Sequence, residues 1–392
     1  MGRSLDCVTA YLDHAATTPM RPQALEMFIA TQREHYGNPS GAHLLARDAR
    51  RVLEDARDTM ADVLGCLARE VIFTAGGTEA DNLAVRGVHE ARGGVVVTVA
   101  HEHHAVLHPV EHLGGRVVGV TTRGVVDLVA LRAALDPSVT LVSVMLANNE
   151  SGVVQPLAEA AALVREFAPD AVLHTDAVQA FSWLDVASAA RDAQLISVSA
   201  HKFGGPKGVG VLVVRDGVKL APMMLGGGQE RELRSGTQNV AGIAAMAVAA
   251  RLTADERTAT GVRVAALRDR LADGLRAALP GTYESGVGSG EEPADRSHKI
   301  AGSCHLCFAD VESEALLFLL ERAGVYASSA SSCASGAQDP SHVLAAMGVP
   351  RALAEGSLRL SLGWTSTDAD VDLALEAVPA AVTQVRRFAV RT

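Results

Sequence analysis

The chain has 392 residues, 48% of them hydrophobic, and a formal net charge of −10. That is enough apolar material for one large core or two closely packed lobes, and the mild acidity excludes a general nucleic-acid binder. No run approaches 18 uninterrupted apolar residues, and Met1-Gly2-Arg3-Ser4-Leu5-Asp6 carries no apolar leader, so a cytoplasmic protein without membrane association is expected.

In chain order, a helix is predicted over Ala42–Leu64. Apolar, β-branched runs then predict strands at Glu70–Thr74, Val95–Val99, Arg116–Val120, Thr140–Leu146, Ala171–Thr175, Leu195–Ser199 and Gly210–Val214. Helical stretches such as Gly77–Gly87 and Leu157–Phe167 separate several of them, which is the pattern of an α/β unit with a mostly parallel sheet. A long helical region, Ala241–Ala278, leads into a smaller α+β segment, and residues 285–297 read as a surface loop. Five cysteines (Cys7, Cys66, Cys304, Cys307, Cys333) are an odd set for a disulfide framework, so each reads as a buried or reactive thiol. Cys304 and Cys307 sit three apart on a predicted strand and face opposite sides, which argues against a redox or metal pair.

The chemistry concentrates at predicted strand ends. The chain has only four lysines, Lys202, Lys207, Lys219 and Lys299, and Lys202 stands between the strand Leu195–Ser199 and a glycine-rich turn. A lysine amine can condense with an aldehyde, which a guanidinium cannot, and the turn leaves room for a flat ligand such as pyridoxal 5'-phosphate (PLP). Asp176 ends the preceding strand, so both side chains belong to one sheet edge, where open α/β sheets bind ligands. A carboxylate there can keep a pyridine nitrogen protonated, and Gln179 lies just beyond it. Thr74-Ala75-Gly76-Gly77-Thr78-Glu79 closes a strand and opens a helix, a phosphate site or equally an ordinary cap. His103 precedes His104, His108 and His112, which share a helical face; stacking on a planar cofactor by an imidazole is preferred here over metal binding, and no metal is expected. Asn149 follows another strand, as a ligand for an oxygen or as a plain turn residue. Cys333 lies in a loop of small residues, and Arg359, on a strand, is either solvated or a carboxylate clamp.

Together these segments resemble the cysteine desulfurases of the NifS/IscS type, in the class V aminotransferase family. The resemblance runs through Tyr11-Leu12-Asp13-His14-Ala15-Ala16-Thr17-Thr18-Pro19, Gly37-Asn38-Pro39-Ser40, Thr78-Glu79-Ala80-Asp81-Asn82, Glu102-His103-His104-Ala105-Val106 and Asn148-Asn149-Glu150-Ser151-Gly152. It continues through the lysine segment, Gly226–Arg231 and Arg234-Ser235-Gly236-Thr237. It implies PLP fold type I, with a large cofactor domain over residues 15–262 and a small domain from residues 1–14 and 263–392. By the same resemblance Lys202 would carry PLP, Asp176 would face the pyridine nitrogen and Gln179 the phenolic oxygen. His103 would stack on the ring as acid and base. Gly77, Thr78, Ser199 and His201 would bind the phosphate, joined by Thr237 from the other subunit of a homodimer. Asn149 and Arg359 would hold the carboxylate of L-cysteine, and Cys333 would take its sulfur as a persulfide for a sulfur-acceptor protein. Iron–sulfur cluster assembly, tRNA thiolation and sulfur modification of DNA would all start from this step. A selenocysteine lyase or an aminotransferase of the same fold is the alternative. Ala330 stands where the family usually has glycine, so the Cys333 segment is expected to be stiffer than usual, although its length resembles that of the long-loop group.

Overall fold

The computed structural model describes residues 9–288, 294–329 and 341–389. The described chain opens with a short strand, β1 (Ala10–Tyr11). Seven strands then make one sheet: β2 (Val71–Thr74), β3 (Val95–Val99), β4 (Arg116–Val118), β5 (Val139–Ser143), β6 (Val172–Asp176), β7 (Leu195–Ser199) and β8 (Gly210–Val214). Their order is β2-β8-β7-β6-β5-β3-β4. The run from β4 to β7 is parallel, and β8 is antiparallel to both β7 and β2. All residues of β6, β7 and β8 are buried, as the near-continuous apolar runs require of strands covered on both faces. The helices Gly77–Arg92 and His104–His112 cover one face through Leu83, Val88, Val106 and Val110. Helices Leu44–Leu64 and Leu157–Phe167, with the start of Val240–Ala278, cover the other.

A second sheet pairs β10 (Ser303–Cys307) with β9 (Tyr283–Glu284) on one side and β12 (Ser357–Ser361) on the other, all antiparallel. Close by, β1 pairs in parallel with β11 (Val325–Tyr326). The helix Val240–Ala278, 39 residues long, joins the two regions. Ile243, Met246 and Ala250 pack under the large sheet, whereas Val264, Leu271 and Leu275 pack with β10 and β12. On β10 the pleat sends Cys304 into that second core and Cys307 into a separate one, and burial pushes both thiols up to about 12. They are packing residues, as their spacing on a strand requires.

Several predicted strand ends move: β4 stops at Val118 rather than Val120, β6 runs one residue later than predicted, and β5 and β2 change for identifiable reasons. The ladder of β5 stops at Ser143 rather than Leu146, although Val144 and Leu146 still donate to His174 and Asp176; the chain then bends into the turn organised by Asn148. Glu70 leaves the predicted strand for a 3-10 turn, because its carboxylate accepts from the Leu67 and Asp216 amides and from Arg215.

Glu284 on β9 is fully buried beside Arg296 (2.8 Å) and Lys299 (3.2 Å). Burial alone would raise its carboxyl, but Lys299 and Arg296 carry it down to about 2 from the usual 4.5. A depressed native pKa stabilises the fold above the unfolded value and loses that stabilisation as pH falls through the native one. Urea midpoints measured from pH 5 to pH 2 should therefore fall more steeply for the wild type than for Glu284→Gln, which lacks the titrating group but starts less stable.

Candidate active site

Asp176 and Lys202 meet at the carboxyl edge of the large sheet. Asp176 is the last residue of β6 and pairs with Ser197 of β7, and Lys202 follows in the 3-10 turn Ala200–Lys202. Asp176 is buried, which lifts its carboxyl to about 6 against the opposing pull of the Val178 amide (2.8 Å) and of the Lys202 charge. Lys202 Nζ donates to the carbonyls of Ala15 (2.5 Å) and Ala16 (2.9 Å). The same amino-terminal stretch receives Gln179 Nε2 on Ala15 O (3.2 Å) and sets Thr17 Oγ1 3.2 Å from His201 Nδ1.

The phosphate-like corner is built from glycine. Gly77 begins a 16-residue helix next to β7, and a Cβ there would lie 2.8 Å from Val178 Cγ2 and 3.5 Å from Ser199 Cβ. Gly76 has φ 153°, a backbone closed to most L side chains. The result is a helix N-terminus, with its unpaired amides, beside the buried Ser199 hydroxyl and the exposed Thr78. His103 caps the helix His104–His112; its Nδ1 accepts from Ala105 N (3.1 Å), so the neutral ring carries its proton on Nε2. Burial, then the Lys202 charge and neighbouring imidazoles, push His103 down to about 4, so it is neutral at pH 7.

On the opposite wall, Arg359 of β12 is only 6% exposed. It is therefore not the solvated residue that strand alternation allowed. Its Nη2 pairs with Asp13 (2.9 Å), its Nη1 donates to Asn149 O (3.3 Å), and its Nε is buried without a partner. Asn149 Oδ1 is likewise buried and unpartnered. Arg359, Asn149, Lys202 and Gln179 line one cleft, and Thr78 and His103 line a second depression with His104 and His108. The imidazoles of His104 and His108 stack at 4.5 Å, and among the described residues no three His, Cys, Asp or Glu side chains are arranged to hold a metal.

Thr237 is exposed and does not line the Lys202 cleft, and Cys333 lies outside the described residues, as does Cys7. Asp13, which fixes Arg359, escapes sequence reasoning because its partner is 346 residues away. The only hint was that Asp13 stood within the Tyr11–Pro19 motif. Arg21, Trp183, Arg257 and Trp364 also line the cleft and carried no sequence signal.

These residues fit PLP. Lys202 supplies the amine, Asp176 a buried carboxyl held between neutral and ionised forms, and Gly77 a cradle that a Cβ would fill. The aminotransferase class-V family matches residues 10–374. An IscS-like cysteine desulfurase of Mycobacterium tuberculosis is 48% identical over 97% of this chain and 98% of its own length. Among solved structures, a NifS-like protein superposes with a TM-score of 0.87 at 34% identity, covering 96% of this chain and all (100%) of its own. An SspA protein in complex with cysteine superposes with a TM-score of 0.76 at 29% identity, covering 90% of this chain and 99% of its own. The chain therefore belongs to the aminotransferase class-V family and, within it, to the cysteine desulfurases of the IscS and NifS type.

Proposed function

We propose that this chain is a PLP-dependent cysteine desulfurase that converts L-cysteine to L-alanine and takes the sulfur on Cys333 as a persulfide. The observation that carries the reading is the joint placement of Lys202 and Asp176 at one sheet edge, with Lys202 in the cleft that Asn149 and Arg359 also line, their Oδ1 and Nε buried without partners. A structural relative that was solved with cysteine supports the substrate.

Each residue has a physical task. Lys202 holds the cofactor and later removes the substrate Cα proton. PLP, when bound, supplies the electron sink that makes that proton removable. Asp176 would keep the pyridine nitrogen protonated, and Gln179 would bond the phenolic oxygen. The Gly77 helix terminus, Thr78, Ser199 and His201 hold the phosphate. His103 would stack on the ring and, being neutral at pH 7, offers an imidazole nitrogen that can accept a proton. Asn149 and Arg359 hold the carboxylate. The Cys333 thiolate then attacks the substrate sulfur: an S–S bond forms, the Cβ–Sγ bond breaks with its electron pair moving to the carbon skeleton, and protonation releases alanine.

Ser328 exchanges both backbone hydrogen bonds with Arg359, and Ser357 Oγ donates to Ser329 O (2.8 Å). Cys333 is four residues beyond Ser329, and such a segment spans at most about 14 Å. That tether supports Cys333 as the sulfur's first stop. A homodimer in which Thr237 reaches the partner's phosphate accounts for the exposure of Thr237. Two domains, residues 15–262 and residues 1–14 with 263–392, agree with the two cores bridged by the long helix. A sulfur-acceptor protein, as in iron–sulfur cluster assembly, completes the sequence.

Lys202→Ala should purify without the visible PLP band, and borohydride should fix no pyridoxyl group at that position. Cys333→Ala should keep the band and lose at least about a hundredfold in alanine formation from L-cysteine; full activity in that variant would overturn the persulfide route. Arg359→Gln should raise KM for cysteine by about 10- to 100-fold, the loss of a charged hydrogen bond, with the band retained.

A further inference from the structure

The Lys202 cleft is lined by two further arginines, Arg21 and Arg257, that the desulfurase reading does not use. Arg257 lies on the long helix with its side chain 13% exposed. Its nearest acid, Asp185, is 4.0 Å away, and its Nε and Nη2 are buried with no hydrogen-bond partner. Arg21, 6% exposed, gives Nη1 to Glu256 (2.7 Å), while its Nε is buried and unpartnered. The Arg21 guanidinium lies 4.9 Å from the centroid of the Trp364 ring. Two guanidinium groups that line one cleft, together with Trp183 and Trp364, thus carry three unsatisfied nitrogen donors. Leaving such donors unpaired is costly, and planar guanidinium donors match oxyanions by geometry as well as charge. Burial also pulls Arg257 below its usual pKa, with Asp185 only partly opposing the shift.

We propose that Arg257 and Arg21 form a binding site for a small oxyanion, a carboxylate or an inorganic oxyanion, separate from the Arg359–Asn149 pair. Two acids, Asp185 and Glu256, reduce the local positive charge, so the site selects a singly charged or compact anion rather than a large polyanion.

The chain's two tryptophans, Trp183 and Trp364, both line this cleft, so intrinsic tryptophan emission reports on it directly. The holoenzyme is titrated separately with sodium sulfate and sodium formate, with ionic strength held by sodium chloride. A saturable emission change is expected, weakened at least tenfold in Arg257→Gln and in Arg21→Gln, and within twofold of wild type in Arg359→Gln. Tighter formate assigns the site to carboxylates, and tighter sulfate to inorganic oxyanions. Arg257→Lys, which keeps the charge but not the fork, should bind with intermediate strength, and each variant is checked for an unchanged PLP band and thermal midpoint. No saturable response, a response that survives Arg257→Gln, or one lost in Arg359→Gln alone would overturn the proposal. None of these outcomes depends on desulfurase turnover, so the two readings fail separately.

Discussion

Parallel pairing of β6 with β7 is the constraint from which the rest of the site follows. It aligns Asp176 with Ser197 and delivers Lys202 five residues later to the same sheet edge. A slip of one residue would turn every side chain of the strand to the other face. Asp176 would then meet one of the two helical layers instead of the cleft, as a buried carboxyl with no cation beside it. The register is fixed because both faces of the strands are covered, with Ile196 and Val198 on one side and Leu195 on the other.

Electrostatics in the cleft follow from burial more than from charge density. Desolvation is the leading influence on Asp176, His103, His201 and His14, raising the acid and lowering the imidazoles toward about 4. The imidazoles are consequently neutral at pH 7 and the acid is poised near 6. At the far wall the opposite solution operates. The buried Arg359 guanidinium is paired with Asp13 at 2.9 Å, since burying a charge is costly unless a partner offsets it.

Much of this was legible in the sequence. Leu195–Ser199, Gly210–Val214 and Leu157–Phe167 have the predicted bounds, since their apolar runs are flanked by clear breakers. The side chains at strand ends were legible for the same reason: a strand's terminus dictates its edge. Pairings across the chain were not. Arg359 could be solvated or clamping until β12 was set against Asp13, and the strand's alternation alone held both options open. Arg21 and Arg257 carry no sequence signal, and only the fold shows that their donors are buried. The end of β5 is not legible, because its apolar run continues into the turn where Asn148 Oδ1 accepts from the Glu150 and Ser151 amides. The stiffness expected near Ala330 and the role of Cys333 concern residues outside those described.

The amino-terminal strand β1 has one more consequence, for the order of assembly. Residues 10–17 find their partners far along the chain: Ala10 and Tyr11 pair with Val325 and Tyr326 on β11, while Asp13 meets Arg359 and Ala15 meets Ser361 on β12. Loop closure across such a span is slow relative to local helix formation. The Ala15 and Ala16 carbonyls that receive Lys202 are thus set only once β11 and β12 have closed on the segment before them, so this corner of the cleft forms late in folding.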